Sequence, residues 1–183
     1  MKTEIVIVAV GDDKPGIINQ LSATATNFNC NICETRMTIM AGQCTLLMHT
    51  SGEHKDLEAL REELPRLSDA TGLEFLCRHM SAPSDHSDKI PYAAEVVTID
   101  DLGLVKNITE FFIGRAINIE SMYTETYDAP MTGTTLFGAH FIVGIPRDCS
   151  INALRNDFVA HCDQYNMDAT LELFNSNLPH PHT

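Results

Sequence analysis

Hydrophobic positions along the chain fall into two rounds of one pattern. Residues 5–10 form a short continuous apolar run that stops at Gly11-Asp12-Asp13, as expected of a strand buried in mid-sheet. Pro15 heads a stretch in which Ile17, Ile18, Leu21, Ala25 and Phe28 recur at the spacing of a helix, closed by residues 29–31. Residues 32–40 and 43–50 flank Ala41-Gly42 and predict a hairpin. Leu57, Leu60, Leu64 and Leu67 predict a second helical face, and residues 73–78 a closing strand with Glu74 and Arg78 alternating against apolar neighbours. The order then returns: a strand at 93–99, a helix at 104–114, strands near 117–127 and 135–145, a helix carrying Ile151, Leu154, Phe158 and Cys162, and a strand at 168–174.

The two rounds superimpose as an internal repeat. At an offset of 87, Asp13 falls on Asp100, Gly16 on Gly103, Ile17 on Leu104, Leu21 on Ile108, and Asn31-Ile32 on Asn118-Ile119. After seven added residues the offset becomes 94, and Ala59-Leu60-Arg61 falls on Ala153-Leu154-Arg155. The turn-rich stretch from Asp128 to Gly133, facing the tight Ala41-Gly42 turn, is the expected home of all seven. Each copy is a βαββαβ unit. Its first and third strands are the most apolar, as the central strands of a split βαβ sheet should be. The expected fold is therefore α+β: two ferredoxin-like domains, each a four-stranded antiparallel sheet with two helices on one face. The first is expected at 1–79 and the second at 92–176, with a Pro-, Ser- and Asp-rich linker at 80–91 and a flexible tail at 177–183.

Gly11-Asp-Asp-Lys-Pro-Gly-Ile-Ile18, closing the first strand and opening the first helix, resembles the ACT-domain signature Asp-Arg-Pro-Gly-Ile, with Lys14 in the Arg place. Asn31-Ile32 resembles the segment that opens the second ACT strand. Copy two keeps Asp100, Gly103, Leu104 and Asn118-Ile119, with Leu102 where the family often has Pro. Two ACT domains with nothing else on the chain resemble the glycine cleavage system transcriptional repressor family. That resemblance implies a regulatory protein that binds an amino acid, glycine or a relative, at these loops. It also implies control of glycine cleavage genes through contact with a DNA-binding regulator. An amino-acid-responsive regulatory subunit of a metabolic enzyme is the alternative.

Physical chemistry points to the same loops. A glycine turn between strand and helix presents unpaired N–H groups at the helix N-terminus, which suit a carboxylate, and Gly16 and Gly103 keep a Cβ out of the way. The candidate ligand residues are Asp12, Asp13, Gly16 and Ile17 in copy one and Asp100, Gly103 and Leu104 in copy two. Asn31 and Asn118 are expected to reach the same ligand by their amides. The other reading of the loops is that they cap the helices, with the acids complementing the helix dipole.

Charge narrows the partners. Twelve basic against 25 acidic residues give a net charge of −13, divided as −4 over residues 1–80 and −9 over 81–183. Neither half offers the basic surface that neutralises phosphates, so direct nucleic-acid binding is not expected. No apolar run approaches membrane-spanning length, and the opening run is too short for a signal peptide, so a cytoplasmic location is expected. Association of two chains is compatible with the pattern.

The six cysteines lie in apolar segments and read as reduced core residues. Cys30-Asn-Ile-Cys33 has the spacing of a redox or zinc motif but lacks the further ligands that a zinc site needs, and core packing is its simpler reading. His180-Pro-His182 is the sole His pair with ligand spacing, and a terminal Pro/His tract is more simply surface. His140 reads as a partly buried strand residue, and Tyr123 and Tyr127 share one strand face. No nucleophile–base pair, phosphate loop or dinucleotide fingerprint stands in the required context, so neither catalysis, a metal nor a cofactor is expected.

Overall fold

A computed structural model describes residues 2–80 and 88–175. The chain divides into two compact units, each built in the order expected. The first runs β1 (Lys2–Asp12), α1 (Ile17–Asn27), β2 (Asn31–Met40), β3 (Gln43–Glu53), α2 (His54–Thr71) and β4 (Glu74–His79). The second runs β5 (Lys89–Ile99), α3 (Leu104–Ile113), β6 (Asn118–Asp128), β7 (Thr135–Pro146), α4 (Ile151–Asp163) and β8 (Asp168–Leu173). Both sheets are antiparallel, in the orders β2-β3-β1-β4 and β6-β7-β5-β8, so the first and third strands of each unit are central.

Strand alternation decides what is buried. Ile5, Ile7 and Ala9 of β1 and Leu46 and Met48 of β3 point toward the helices, where Leu21, Ala25, Leu57, Leu60 and Leu64 close an aliphatic core. The second unit fills the same space with rings. Phe111 and Phe112 of α3, Phe141 of β7 and Phe158 of α4 are almost fully buried, with centroids 5.1–6.3 Å apart in the packed pairs that link Phe158 and Phe141 to α3. Truncating such a ring leaves a cavity and costs about 3–5 kcal/mol.

The repeat is written in backbone details as well. The β-bulge between Ile32 and Glu34 recurs between Ile119 and Ser121, 87 positions on. Positive φ recurs at Asn29 and Ala116, and at Gly72 and Asn166. The register corrects where the seven extra residues go. Ile119 lies 87 positions beyond Ile32, but its partner Val143 lies 93 beyond Thr50, the partner of Ile32. The β6–β7 hairpin therefore absorbs six, and the seventh enters before α4, whose Leu154 lies 94 beyond Leu60.

The expected linker also needs correcting. Lys89, Ile90 and Pro91 belong to β5, opposite Pro146, Ile145 and Gly144. Pro91 fits because its carbonyl faces β8, accepting the Phe174 N–H at 3.0 Å. The missing proline donor lies on that side too, so the ladder to β7 loses nothing. Residues 81–87 and the expected tail at 177–183, with His180 and His182, lie outside the described residues. Among the described residues no helix is long and apolar enough to cross a membrane.

Candidate functional site

β1 ends at Asp12, and the loop that follows is held from two sides. Asp12 Oδ1 accepts from Gln43 Nε2 at 2.9 Å, and the Asp13 N–H donates to the Gly42 carbonyl at 3.3 Å, which ties the loop to the hairpin tip. Lys14 reaches the other way, its Nζ donating to the Thr71 carbonyl at the C-terminal end of α2, 3.3 Å away. A cation there satisfies an orphan carbonyl and complements the helix dipole. Gly16 then turns the chain into α1 with φ 94°, a left-handed conformation that an L side chain resists. Pro15 therefore precedes the cap and is not the first helical residue.

The α1 N-terminus has neither a side-chain cap nor an acidic residue in its first turn. Beside it lies a shallow depression of about 580 Å³ lined by Asp13, Gly16, Ile18, Asn19, Ser22 and Met37 among others, and the Ile17 N–H meets the Lys14 carbonyl at 3.5 Å. Neither Asp12 nor Asp13 caps α1 through its side chain: Asp12 holds the hairpin tip and Asp13 lies in the loop wall. Ile17 is 4% exposed, so its side chain belongs to the core and only its backbone faces the depression.

Four lining residues escaped the sequence reading. Ile18, placed there on the buried face, is 37% exposed, and Asn19, Ser22 and Met37 were not singled out. Ile18 and Ser22 stand one helical turn apart on the shoulder of the apolar stripe. A stricter reading of the 3.6-residue period would have put them beside the loop.

In the second unit the Asp100 N–H donates to the Thr135 carbonyl at 3.1 Å, and Gly103 repeats the left-handed turn with φ 83°. Leu104 is buried at 7% exposure, and Leu102 projects into solvent. The repeat puts Asp101 where Lys14 stands, and its Oδ1 accepts the Leu102 N–H at 2.7 Å within the loop itself. The lysine clamp is therefore particular to the first unit.

Asn31 and Asn118 do not join these loops within their own unit. Asn31 lies opposite Ser51, whereas Asp12 lies opposite Gln43, eight positions away along β3. At about 3.3 Å per residue this separates them by about 26 Å. Asn118, opposite Gly144, is likewise at the far end from Ile99, opposite Leu136.

The Cys30/Cys33 pair is divided between two environments. Cys30 lies in the core at 6% exposure, where burial and then the Asp56 carboxylate push its thiol above the ordinary range. Cys33 sits exposed at the β2 bulge, its Sγ 3.2 Å from Ser51 Oγ. On the helix-free face of the second sheet, His140 Nδ1 stands 3.7 Å from Glu95 Oε1 beside Tyr123, whose hydroxyl donates to Glu125 at 3.2 Å. The His140–Glu95 and Tyr123–His140 contacts run across strands, and the Tyr123–Glu125 bond runs along β6.

The glycine turn between β1 and α1, set in a β2-β3-β1-β4 sheet and present twice, is the arrangement of an ACT-type domain. The ACT-domain family model matches residues 3–78, so the first unit belongs to that family, and the second unit repeats its sheet order and its glycine turn. Over nearly its whole length the chain is similar to the glycine cleavage system transcriptional repressor of Escherichia coli (strain K12), with 21% identity over 171 residues covering 93% of this chain and 90% of that protein. A crystal structure of a candidate glycine cleavage system transcriptional repressor matches with a TM-score of 0.75 and 27% identity, covering 96% of this chain and 99% of that one. The chain is also similar to a UPF0237 protein of Clostridium perfringens (strain 13 / Type A), 37% identical over 76 residues, which are 40% of this chain and 85% of that protein.

Proposed function

We propose that this chain is a non-catalytic sensor that binds an amino acid at the β1–α1 loop and, through contact with a DNA-binding regulator, controls transcription of glycine cleavage genes. The observation that carries the ligand reading is the uncapped α1 N-terminus beside the depression that Asp13 lines. A zwitterion needs donors for its carboxylate and an acceptor for its ammonium. The first-turn N–H groups supply the donors, and the Asp13 carboxylate supplies the acceptor. The depression is large enough for glycine and for larger amino acids, so what it would recognise is the zwitterion common to them, not the size of the side chain.

The first loop is the primary site, because Lys14 ties it to α2 and the second loop carries an acid in that position. Gly103 with Asp100 and the Leu104 backbone forms the secondary candidate. The regulatory target follows from resemblance to the repressors, and the acidic surface is consistent with action through another protein.

Calorimetry against glycine and the other amino acids tests the site. At least one should bind, and Ser22→Trp or Met37→Trp, which fill the depression from its rim, should abolish binding without changing the melting temperature by more than a few degrees. A ligand whose affinity survives both substitutions binds elsewhere, and no heat with any of the twenty sinks the sensor reading. Affinity capture with the tagged chain should retrieve a DNA-binding regulator; retrieval of a metabolic enzyme would move the function to an amino-acid-responsive subunit.

A further inference from the structure

The start of α2 meets the end of β4, and three side chains that can ligate a metal gather there: His54 and Glu58 on the helix and His79 on the strand. His54 and Glu58 stand four apart, so both project from one face of α2. His79 lies opposite Ile5, a buried residue of β1, so its side chain is on the helix side of the sheet. Its Nε2 is 3.0 Å from Glu58 Oε1, and its ring centroid is 6.2 Å from that of His54.

The approach of His79 to Glu58 leaves a polar atom unsatisfied. Glu58 Oε1 is shut off from solvent and accepts no hydrogen bond, even with the imidazole nitrogen so near. Arg61 stands 3.5 Å from the other oxygen, Oε2. A buried carboxylate oxygen is costly unless a donor or a cation meets it. A metal ion would meet the oxygen and the nitrogen together. Two ligand atoms on one tetrahedral zinc stand about 3.3 Å apart, and two imidazoles on it have ring centres about 5 Å apart. The oxygen–nitrogen distance nearly meets this, and the rings need to close by about 1 Å. Among the described residues no three such groups already surround one point. His54, however, is exposed at the first position of its helix, where its ring is free to turn inward.

The repeat shows that the fold does not require these residues. At the offset of 94, Glu58 falls on Asn152 and His79 on Leu173. α4 begins at Ile151, which falls on Leu57, so the turn of α2 that carries His54 has no helical counterpart. The second unit builds the same sheet with neither an imidazole nor a carboxylate at the two matched positions. Cys77, two residues back on the same face of β4, does not complete the set. Burial pushes its thiol up, and only the thiolate is a good metal ligand.

We propose that His54, Glu58 and His79 form a binding site for a divalent transition-metal cation of the Zn²⁺ type, with water as the fourth ligand. Two imidazoles and one carboxylate suit such an ion, whereas Ca²⁺ and Mg²⁺ prefer oxygen sets. The bound ion pins the last residue of β4 to the first turn of α2.

Titration of the untagged full chain with Zn²⁺, in competition with a chromophoric chelator, tests this. The native chain should bind Zn²⁺ at about micromolar affinity or tighter and should melt at a higher temperature with the ion than without it. His54→Ala, Glu58→Gln and His79→Gln should each weaken binding at least about tenfold, no less than losing an outer partner of a metal ligand costs. None of the three residues is buried, and circular dichroism checks that each variant keeps its fold. His180→Ala/His182→Ala in the tail should leave the affinity unchanged. Co²⁺ in place of Zn²⁺ should give the visible bands of a tetrahedral site without a thiolate charge-transfer band. Zn²⁺ affinity weaker than about 100 μM, affinity that survives both His54→Ala and His79→Gln, loss of binding in the tail variant, or a thiolate band each overturns the proposal.

Discussion

The Lys14 ammonium and the Thr71 carbonyl meet at 3.3 Å, joining the β1–α1 loop to the far end of α2. Thr71 is itself fixed there: its hydroxyl donates to the Leu67 carbonyl at 2.7 Å and accepts the Leu73 N–H at 3.2 Å. Through this contact the β1–α1 loop is anchored to a helix end. Lys14→Met should lower stability by only about 0.5–1 kcal/mol, since the lysine is solvent-exposed and a charged hydrogen bond there is partly screened. Lys14→Arg should keep most of it. Urea denaturation midpoints check both, and a loss of several kcal/mol in the Met variant would mean that the lysine carries more than this one contact.

Gly16 and Gly103 are required by conformation, not crowding. A Cβ at either would meet nothing within 4 Å, yet both have φ in the left-handed range. Gly16→Ala and Gly103→Ala should each cost about 1–2 kcal/mol from backbone strain alone. Gly16→Asn should cost less than Gly16→Ala, because Asn tolerates that region. Thermal unfolding distinguishes these from a packing effect, in which the larger Asn would be the worse.

Cys162 gives an alkaline signature. Burial, with help from the Asp163 carboxylate, pushes its thiol up to about 12 from 9.0. The unfolded chain ionises this thiol as pH rises past 9.0, whereas the folded chain keeps it protonated until about 12. Its contribution to stability is therefore whole below pH 9 and is lost as pH climbs toward about 12. Replacing it with Val should flatten the stability curve over that interval relative to the native chain. Parallel curves would show that the thiol is not held protonated by the core.

With a net charge of −13, the chain should show no affinity for duplex DNA at physiological salt. Fluorescence anisotropy with a labelled duplex checks this. Submicromolar binding that falls steeply with added salt would reveal a basic patch that the composition hides.

Sequence by itself determined the element order, the two copies, the central position of the most apolar strands and the two glycine loops. These follow from local periodicity and turn chemistry, which act over a few residues at a time. Tertiary structure decided which residues share a place. α1 carries the chain back along the sheet by about 16 Å over its 11 residues, so Asn31 starts β2 at the end opposite Gly16 despite the short separation in sequence. Burial moved the Ile17 and Leu104 side chains into the cores and left Ile18, Asn19, Ser22 and Met37 around the loop. Arg155 hydrogen-bonds the carbonyl of Leu171 on an edge strand, whereas its aligned Arg61 is paired with Glu58 on its own helix. Each of these depends on which end of an element faces which neighbour, and that is set by strand direction, register and competing partners across the fold.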